Sequence, residues 1–325
     1  MKRALSFLAV LAIVAPAWLA YRWNDRPSLE PYRNYFLPSA PADARGLRVT
    51  FLGVSTLLFD DGETAILIDG FFSRPGVLRI LAGRIEPNVE RVEASLARAE
   101  IERLAAVITV HSHYDHAMDS PLVAERTGAL LVGSESTANI ARGWGLTEER
   151  LHVVANESAE NFGRFRVTLI PAAHFPHGMA MGEIRKPLVT PARAVDYKEG
   201  GSYSVLLEHD GKTLLVQGSA GFVPGRLRGR RADVVFLAAA GLGTREEDYR
   251  DAYWREVVTA VGARRVIGTH WDDFTRPLDE PLVPLSRFLD DVAGSFDFFI
   301  ARAGAEKVDF KLASAWTRID PFAGL

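Results

Sequence analysis

His111, His113, Asp115 and His116 form an H-x-H-x-D-H run that places three of the chain's eight histidines and an aspartate within six residues. Imidazole nitrogen and carboxylate oxygen are the donors that zinc and similar ions prefer, and catalytic zinc sites keep a coordination position for water. In an extended segment residues i and i+2 project to the same side, so His111 and His113 can converge on one ion. A turn beginning at Tyr114 would swing Asp115 and His116 towards a neighbouring position. Four residues of one loop rarely close such a site, so further ligands are expected downstream. His174 follows Leu169-Ile-Pro-Ala-Ala, and His270 lies in Val266-Ile-Gly-Thr-His-Trp271. Each stands just past an apolar run with the character of a strand. The chain contains no cysteine. A metal site must therefore be built from His, Asp and Glu, and neither disulfides nor a thiol nucleophile are available. No G-x-S-x-G sequence occurs either. A bound divalent ion lowers the pKa of its water from ~16 to ~7. Hydrolysis by a metal-bound hydroxide is the most economical chemistry for these residues.

The elements that must position this cluster can be read from hydrophobic period and turn chemistry. Leu47–Gly53, Ser55–Phe59 and Thr64–Asp69 read as strands, the last two joined across the hairpin signal in Asp60-Asp-Gly-Glu63. Asn88 caps a helix whose Val89, Val92, Leu96 and Ala99 share a face. Ala105–Val110 is a buried strand that ends at the histidine cluster. Ser120-Pro121 opens the next helix. Ala129–Val132 is a strand, Ser134–Arg142 a helix, and Leu151–Val154 and Phe165–Ile170 are strands. An irregular stretch with four prolines runs from Pro171 to Gly201. A second hairpin, Ser202–Glu208 with Thr213–Gln217, turns at His209-Asp-Gly211. The strand Val234–Ala238, a helix near Glu246–Val261 and the strand Arg265–Gly268 follow. Residues 281–293 have helical character, with short strands after them. Hairpins followed by strand–helix alternation, twice over, indicate two sheets covered by helices, an α/β (α+β) architecture.

Composition narrows the class. The chain has 325 residues, 48% apolar and 24% charged, as folded proteins do. A net charge of −3 argues against a large nucleic-acid footprint, so no nucleic-acid partner is expected. Residues 1–23 form a signal peptide or N-terminal membrane anchor. Met1-Lys-Arg precedes the uncharged stretch Ala4–Ala20, long for a signal core and short for a membrane span. Ala15-Pro-Ala17 offers a cleavage site and Tyr21-Arg-Trp23 an interfacial anchor. Either fate places the body outside the cytoplasm, in the periplasm, secreted or membrane-associated through this segment. Residues 24–45 read as a linker and 46–325 as the hydrolase domain.

The ordered set of Asp69 at a strand end, H-x-H-x-D-H, a lone His174 and a late His270 resembles the metallo-β-lactamase-fold hydrolase superfamily, over residues 47 to about 275. Phe51-Leu-Gly-Val-Ser-Thr-Leu-Leu58 and Thr269-His-Trp-Asp-Asp-Phe274 look most like the branch containing ascorbate-6-phosphate lactonase and N-acyl phosphatidylethanolamine phospholipase D. The resemblance implies an αββα four-layer sandwich with a metal site at one edge of its sheets. One ion would take His111, His113 and His174, and a second Asp115, His116 and His270. Asp69 would orient a ligand from behind. Asp115 would also be catalytic, holding the nucleophile and relaying its proton. Zinc suits this set best, as one or two ions, and manganese or iron also accept such ligands. Where family members carry an aspartate bridging both ions, this chain has Val216-Gln-Gly-Ser-Ala-Gly221, with Ser219 at the matching place. The second ion would then bind more weakly, or through Asp272 or Asp273.

His177, in Phe175-Pro-His-Gly178, and Ser219 are candidates to touch substrate. The loop beyond, with Arg185, Lys186, Arg193, Lys198, Met179 and Met181, could contact an anionic or amphiphilic molecule. His152 and His209 read as surface positions. The expected substrate is a small or lipid-like phosphodiester, lactone or other ester. Two rival readings stay open: a non-catalytic metal-binding protein that retains the fold, and an iron-dependent redox variant.

Overall fold

Along each central strand, alternate residues enter different hydrophobic layers. In β2 (Leu57–Asp60), Leu57 and Phe59 join the core between the sheets while Leu58 joins the core beneath the helices. β3 (Ala65–Ile68) repeats this with Ile66 and Ile68 against Leu67, and β4 (Ala106–Ile108) with Ala106 and Ile108 against Val107. Both faces of these strands are covered, which is why the runs read as continuously apolar.

The computed structural model describes Val14, residues 18–41 and residues 46–325. Most of the expected signal or anchor segment lies outside the described residues. Among the described residues no helix is long and apolar enough to cross a membrane. One seven-stranded sheet contains β1 (Arg48–Phe51), β2, β3, β4, β5 (Leu130–Gly133), β6 (Leu151–Val153) and β14 (Arg318–Ile319), in the order β14-β1-β2-β3-β4-β5-β6. The other contains β7 (Ser158–Phe162), β8 (Phe165–Ala172), β9 (Ser202–His209), β10 (Lys212–Gln217), β11 (Val234–Ala238), β12 (Arg265–Thr269) and β13 (Asp309–Leu312), in sequence order from one edge to the other.

Helices α1 (Val77–Ala82), α2 (Val89–Arg98), α3 (Tyr114–Ala117), α4 (Ser120–Thr127) and α5 (Glu135–Trp144) accompany the first sheet, and α6 (Glu247–Val257) and α7 (Val292–Glu306) the second. The layers are helix, sheet, sheet, helix, as the family resemblance implies. Between the sheets Phe59 and Phe236 meet edge to face at 5.7 Å. β3 to β6 run parallel, as do β10 to β12, so their carboxyl ends gather at one rim. Ligand-bearing loops of open parallel sheets stand at such rims.

Several expectations need correction. The helix expected over 281–293 is instead Val292–Glu306. Pro281 and Pro284 deny the earlier stretch its amide donors, whereas Asp291 caps the real helix by accepting from Gly294 N at 3.0 Å. Gly294 and Gly304 weakened the helical signal there, although Phe296, Phe299 and Ala303 share the buried face. β7 and α1 had no clear signal, and α1 buries none of its residues. In the segment read as a linker, residues 30–35 form a 3-10 turn, and buried Tyr32 meets Phe296 edge to face at 5.1 Å. His209 is buried rather than at the surface, 2.8 Å from Asp61 in the opposite hairpin turn.

Candidate metal centre

β4 delivers the cluster to the rim and α3 turns it. His113 occupies the cap position of α3 in extended geometry, and Ala117 N donates to its carbonyl at 2.8 Å. His111 and His113 thus leave the strand end together, while Asp115 and His116 ride on the first helical turn. His174 arrives two residues past β8, and His270 one residue past β12. His270 and Asp69 hold positive φ angles of 52° and 60°. Such backbone is costly for residues with side chains and collects at functional sites.

The six side chains form two groups, His111 with His113 and His174, and Asp115 with His116 and His270; in each, one donor atom per residue lies within 4.8 Å of the others. The ring centroids of His111 and His174 are 4.6 Å apart, as are those of His113 and His174. Asp115 Oδ2 lies 3.5 Å from His270 Nε2 and 3.7 Å from His116 Nε2.

Three of the outward nitrogens are held. His116 Nδ1 bonds Asp69 Oδ2 at 2.8 Å, and His174 Nδ1 donates to the Phe175 carbonyl at 2.7 Å. His113 Nε2 lies 3.3 Å from the Ala180 carbonyl. Each contact fixes a tautomer and leaves the other nitrogen's lone pair for an ion. Asp69 also accepts from Val110 N at 2.9 Å and from Ser55 Oγ at 2.5 Å. Ser55 was missed by sequence reasoning, since nothing in its neighbourhood marks a serine that folding brings to a histidine.

Charge follows the same division. Burial, reinforced by the neighbouring histidines, pushes the pKa of His111 well below the ordinary imidazole range. Burial likewise brings His113 down to about 4 and His174 down to about 3. These three rings are neutral at pH 7, the state in which imidazole binds metal. Burial also opposes charge on His116, yet Asp69 and Asp115 raise its pKa above the ordinary value. Burial resists ionisation of Asp115, but His116 and His270 hold its carboxyl well below the usual carboxylate range.

His111 provides the test of fit. Both its ring nitrogens are buried and have no hydrogen-bond partner among the described residues. A buried polar group left unpaired costs ~1–3 kcal/mol, and a divalent ion held with His113 and His174 satisfies one of the two atoms.

The remaining candidates divide. His177 is brought to the site, with its ring centroid 4.7 Å from His174 and 5.6 Å from His113. Ser219 Oγ accepts from Phe175 N at 2.9 Å, so its hydroxyl braces the loop that carries His174. Asp272 and Asp273 do not replace the missing bridge. Asp272 is fully buried, bonded to Arg74 at 2.6 Å and to Val54 N at 2.8 Å. Asp273 pairs with Arg26 at 2.6 Å and accepts from Thr275 Oγ1 at 2.7 Å. All four of their oxygens are spent on structure.

A family model described as the beta-lactamase superfamily domain matches residues 64–271. The chain belongs to this superfamily. A "UPF0173 metal-dependent hydrolase" of Heliobacterium modesticaldum is 30% identical over 128 residues, covering 39% of this chain and 45% of that protein. The chain spans about half the length of the curated relatives it matches, from 45% to 63% in the first three. Among solved structures, Igni18, a metallo hydrolase of Ignicoccus hospitalis, superposes with a TM-score of 0.54 at 14% identity, covering 84% of this chain and 97% of that one. CmlA, a diiron beta-hydroxylase of Streptomyces venezuelae, also reaches 0.54 at 14% identity, over 85% of this chain and 54% of its own. These two likenesses establish the fold. The αββα sandwich is that of the metallo-β-lactamases.

Proposed function

We propose that this superfamily member is a metal-dependent hydrolase that cleaves a phosphodiester, lactone or other ester. The observation that carries the reading is His111, a buried imidazole with both nitrogens unpartnered inside a ring of ligand-type side chains. The relatives described as metal-dependent hydrolases support the same class. When bound, divalent ions would supply an activated water and positive charge to stabilise a developing oxyanion.

The chain's own residues divide the remaining work. His111, His113 and His174 would hold one ion, and Asp115, His116 and His270 the other. Asp115 stays ionised, because neighbouring histidines hold its carboxyl well below the usual range. It therefore acts by charge and position, and is a weaker proton acceptor than the motif alone implies. His177 Nδ1 accepts from Met179 N at 2.9 Å, which places the neutral ring's proton on Nε2. That N–H is free to donate to a substrate oxygen beside His174. Exposed Met179 and Met181 stand next to it in sequence. They suit an amphiphilic, lipid-like substrate, since Met adapts to irregular apolar surfaces. Ser219 contributes through the His174 loop.

An extracytoplasmic location, with the N-terminal segment as signal or anchor, completes the reading. It rests on residues 1–23 alone. The test is metal content of protein purified without added metal, followed by phosphodiester, lactone and ester substrates. Absence of a transition metal sinks the proposal. Zinc with turnover of one ester class supports it, and iron with no hydrolysis favours the redox alternative.

A further inference from the structure

In the Asp115, His116 and His270 group, His270 is the ligand candidate whose outward nitrogen lacks a support. Its Nε2 faces Asp115, and its Nδ1 is buried without a hydrogen-bond partner among the described residues. The other member of that group, His116, rests on Asp69. Ligand histidines nearly always pass their second N–H to a carboxylate, a carbonyl or water. The position behind His270 calls for an acceptor.

One candidate carboxylate is buried nearby. After Trp271 the chain doubles back through irregular residues 281–290. Asp273 N donates to the Val283 carbonyl at 2.8 Å and Leu285 N to the Trp271 carbonyl at 3.2 Å, so this segment lies along the residues that follow His270. It ends at Asp290, which is 4% exposed. Asp290 Oδ2 accepts from Gly241 N at 2.9 Å, just past β11, the strand paired with β12. Ala239 N, in the same turn, donates to the Thr269 carbonyl at 2.9 Å, one residue before His270. Asp290 Oδ1 is buried and has no partner among the described residues. An unpaired acceptor and an unpaired imidazole nitrogen thus occupy adjoining strand ends. Burial lifts the Asp290 carboxyl to about 6, and the bond from the Gly241 amide works in the opposite direction.

We propose that Asp290 is the positioning carboxylate for His270, its Oδ1 accepting the Nδ1–H across one bridging water. The inference rests on the second ligand group being a metal site. The proton is thereby kept on Nδ1, and the Nε2 lone pair points to the position shared with Asp115 and His116. The same negative charge partly offsets the carboxylate that Ser219 does not provide. No step of hydrolysis passes through Asp290.

Asp290→Asn separates this role from a structural one. The amide oxygen still accepts from Gly241 N, so the turn is kept. The amide nitrogen is a donor and favours the opposite tautomer, with the His270 proton on Nε2. Titration of metal-free full-length protein with Zn2+ should show the second ion weakened ~10–100-fold and the first unchanged. The melting midpoint without metal should stay the same. In 15N-histidine spectra of metal-free wild-type protein, with His270 assigned by His270→Gln, the ring should be the Nδ1–H tautomer. It should change in Asp290→Asn.

Equal affinity for the second ion in wild type and variant overturns the proposal. So does an Nε2–H tautomer in the wild-type protein, a result that does not depend on the variant folding. If wild type binds only one ion, the two-group reading fails, while the tautomer still decides whether Asp290 holds His270.

Discussion

His116 Nδ1 lies 2.8 Å from Asp69 Oδ2, although 47 residues separate them in the chain. Asp69 directly follows β3 and His116 rides on α3, and the same carboxylate accepts from Val110 N just past β4. One aspartate thus joins two strand ends and orients a candidate ligand. Asp69→Asn keeps the volume but weakens the acceptor, and is expected to lower affinity for the ion at His116 by ~10–100-fold. Competition with a zinc-binding dye would measure the loss, and unchanged affinity would reduce Asp69 to a structural role.

His111→Ala removes the central ligand of the three-histidine group. Loss of the first ion and of hydrolysis is expected, with the fold intact by circular dichroism because the side chain belongs to the rim. Retention of a full complement of metal would refute the assignment.

The two groups should release metal at different acidities. His113 at about 4 and His174 at about 3, with His111 also depressed, stay unprotonated as pH falls from neutrality. His116, with its raised pKa, takes up a proton first and competes with its ion. Dialysis at stepped pH followed by elemental analysis should show the second ion leaving at a higher pH than the first. Simultaneous loss would contradict the division.

Ser219→Asp returns a carboxylate to the edge of the site. Occupancy by the second ion should rise, while Ser219→Ala should instead disturb the His174 loop by losing the bond from Phe175 N. Metal stoichiometry at limiting zinc distinguishes the two, and identical stoichiometry in both variants would show that position 219 does not act on the ions.

At the His209 end of β9 the Asp61–His209 pair clasps the two hairpin turns. Burial resists the charge, but the amides of Thr64 and Glu63 together with His209 and Arg164 bring Asp61 from 3.8 down to about 2. Its stabilisation is complete above the unfolded value and is lost as pH falls through the folded one, a contribution of roughly 2 kcal/mol. Asp61→Asn should destabilise the protein at pH 7, with the deficit shrinking as pH falls from 3.8 to about 2. Urea midpoints across pH check this, and a deficit that does not vary with pH would rule out the charge as its source.

The sequence by itself determined most of the strands and the candidate ligand set. Alternation in β2, β3 and β4, the Asp-Gly turns, the Asn88 cap and the H-x-H-x-D-H spacing are local signals, and each depends on residues a few positions apart. The late helix was illegible because its own glycines dilute the pattern while the prolines lie before it, in the stretch that looked helical. Only the tertiary structure decided which partners other than Asp69 stand behind the candidate ligands. Ser55 and Asp290 are unremarkable where they occur in the chain and matter because sheet pairing brings strand ends together. It also removed Asp272 and Asp273 from the metal centre, since Arg74 and Arg26 hold them. The physical reason is the same in each case: a ligand type is a property of one side chain, whereas its tautomer, charge and free lone pair are set by neighbours that only folding supplies.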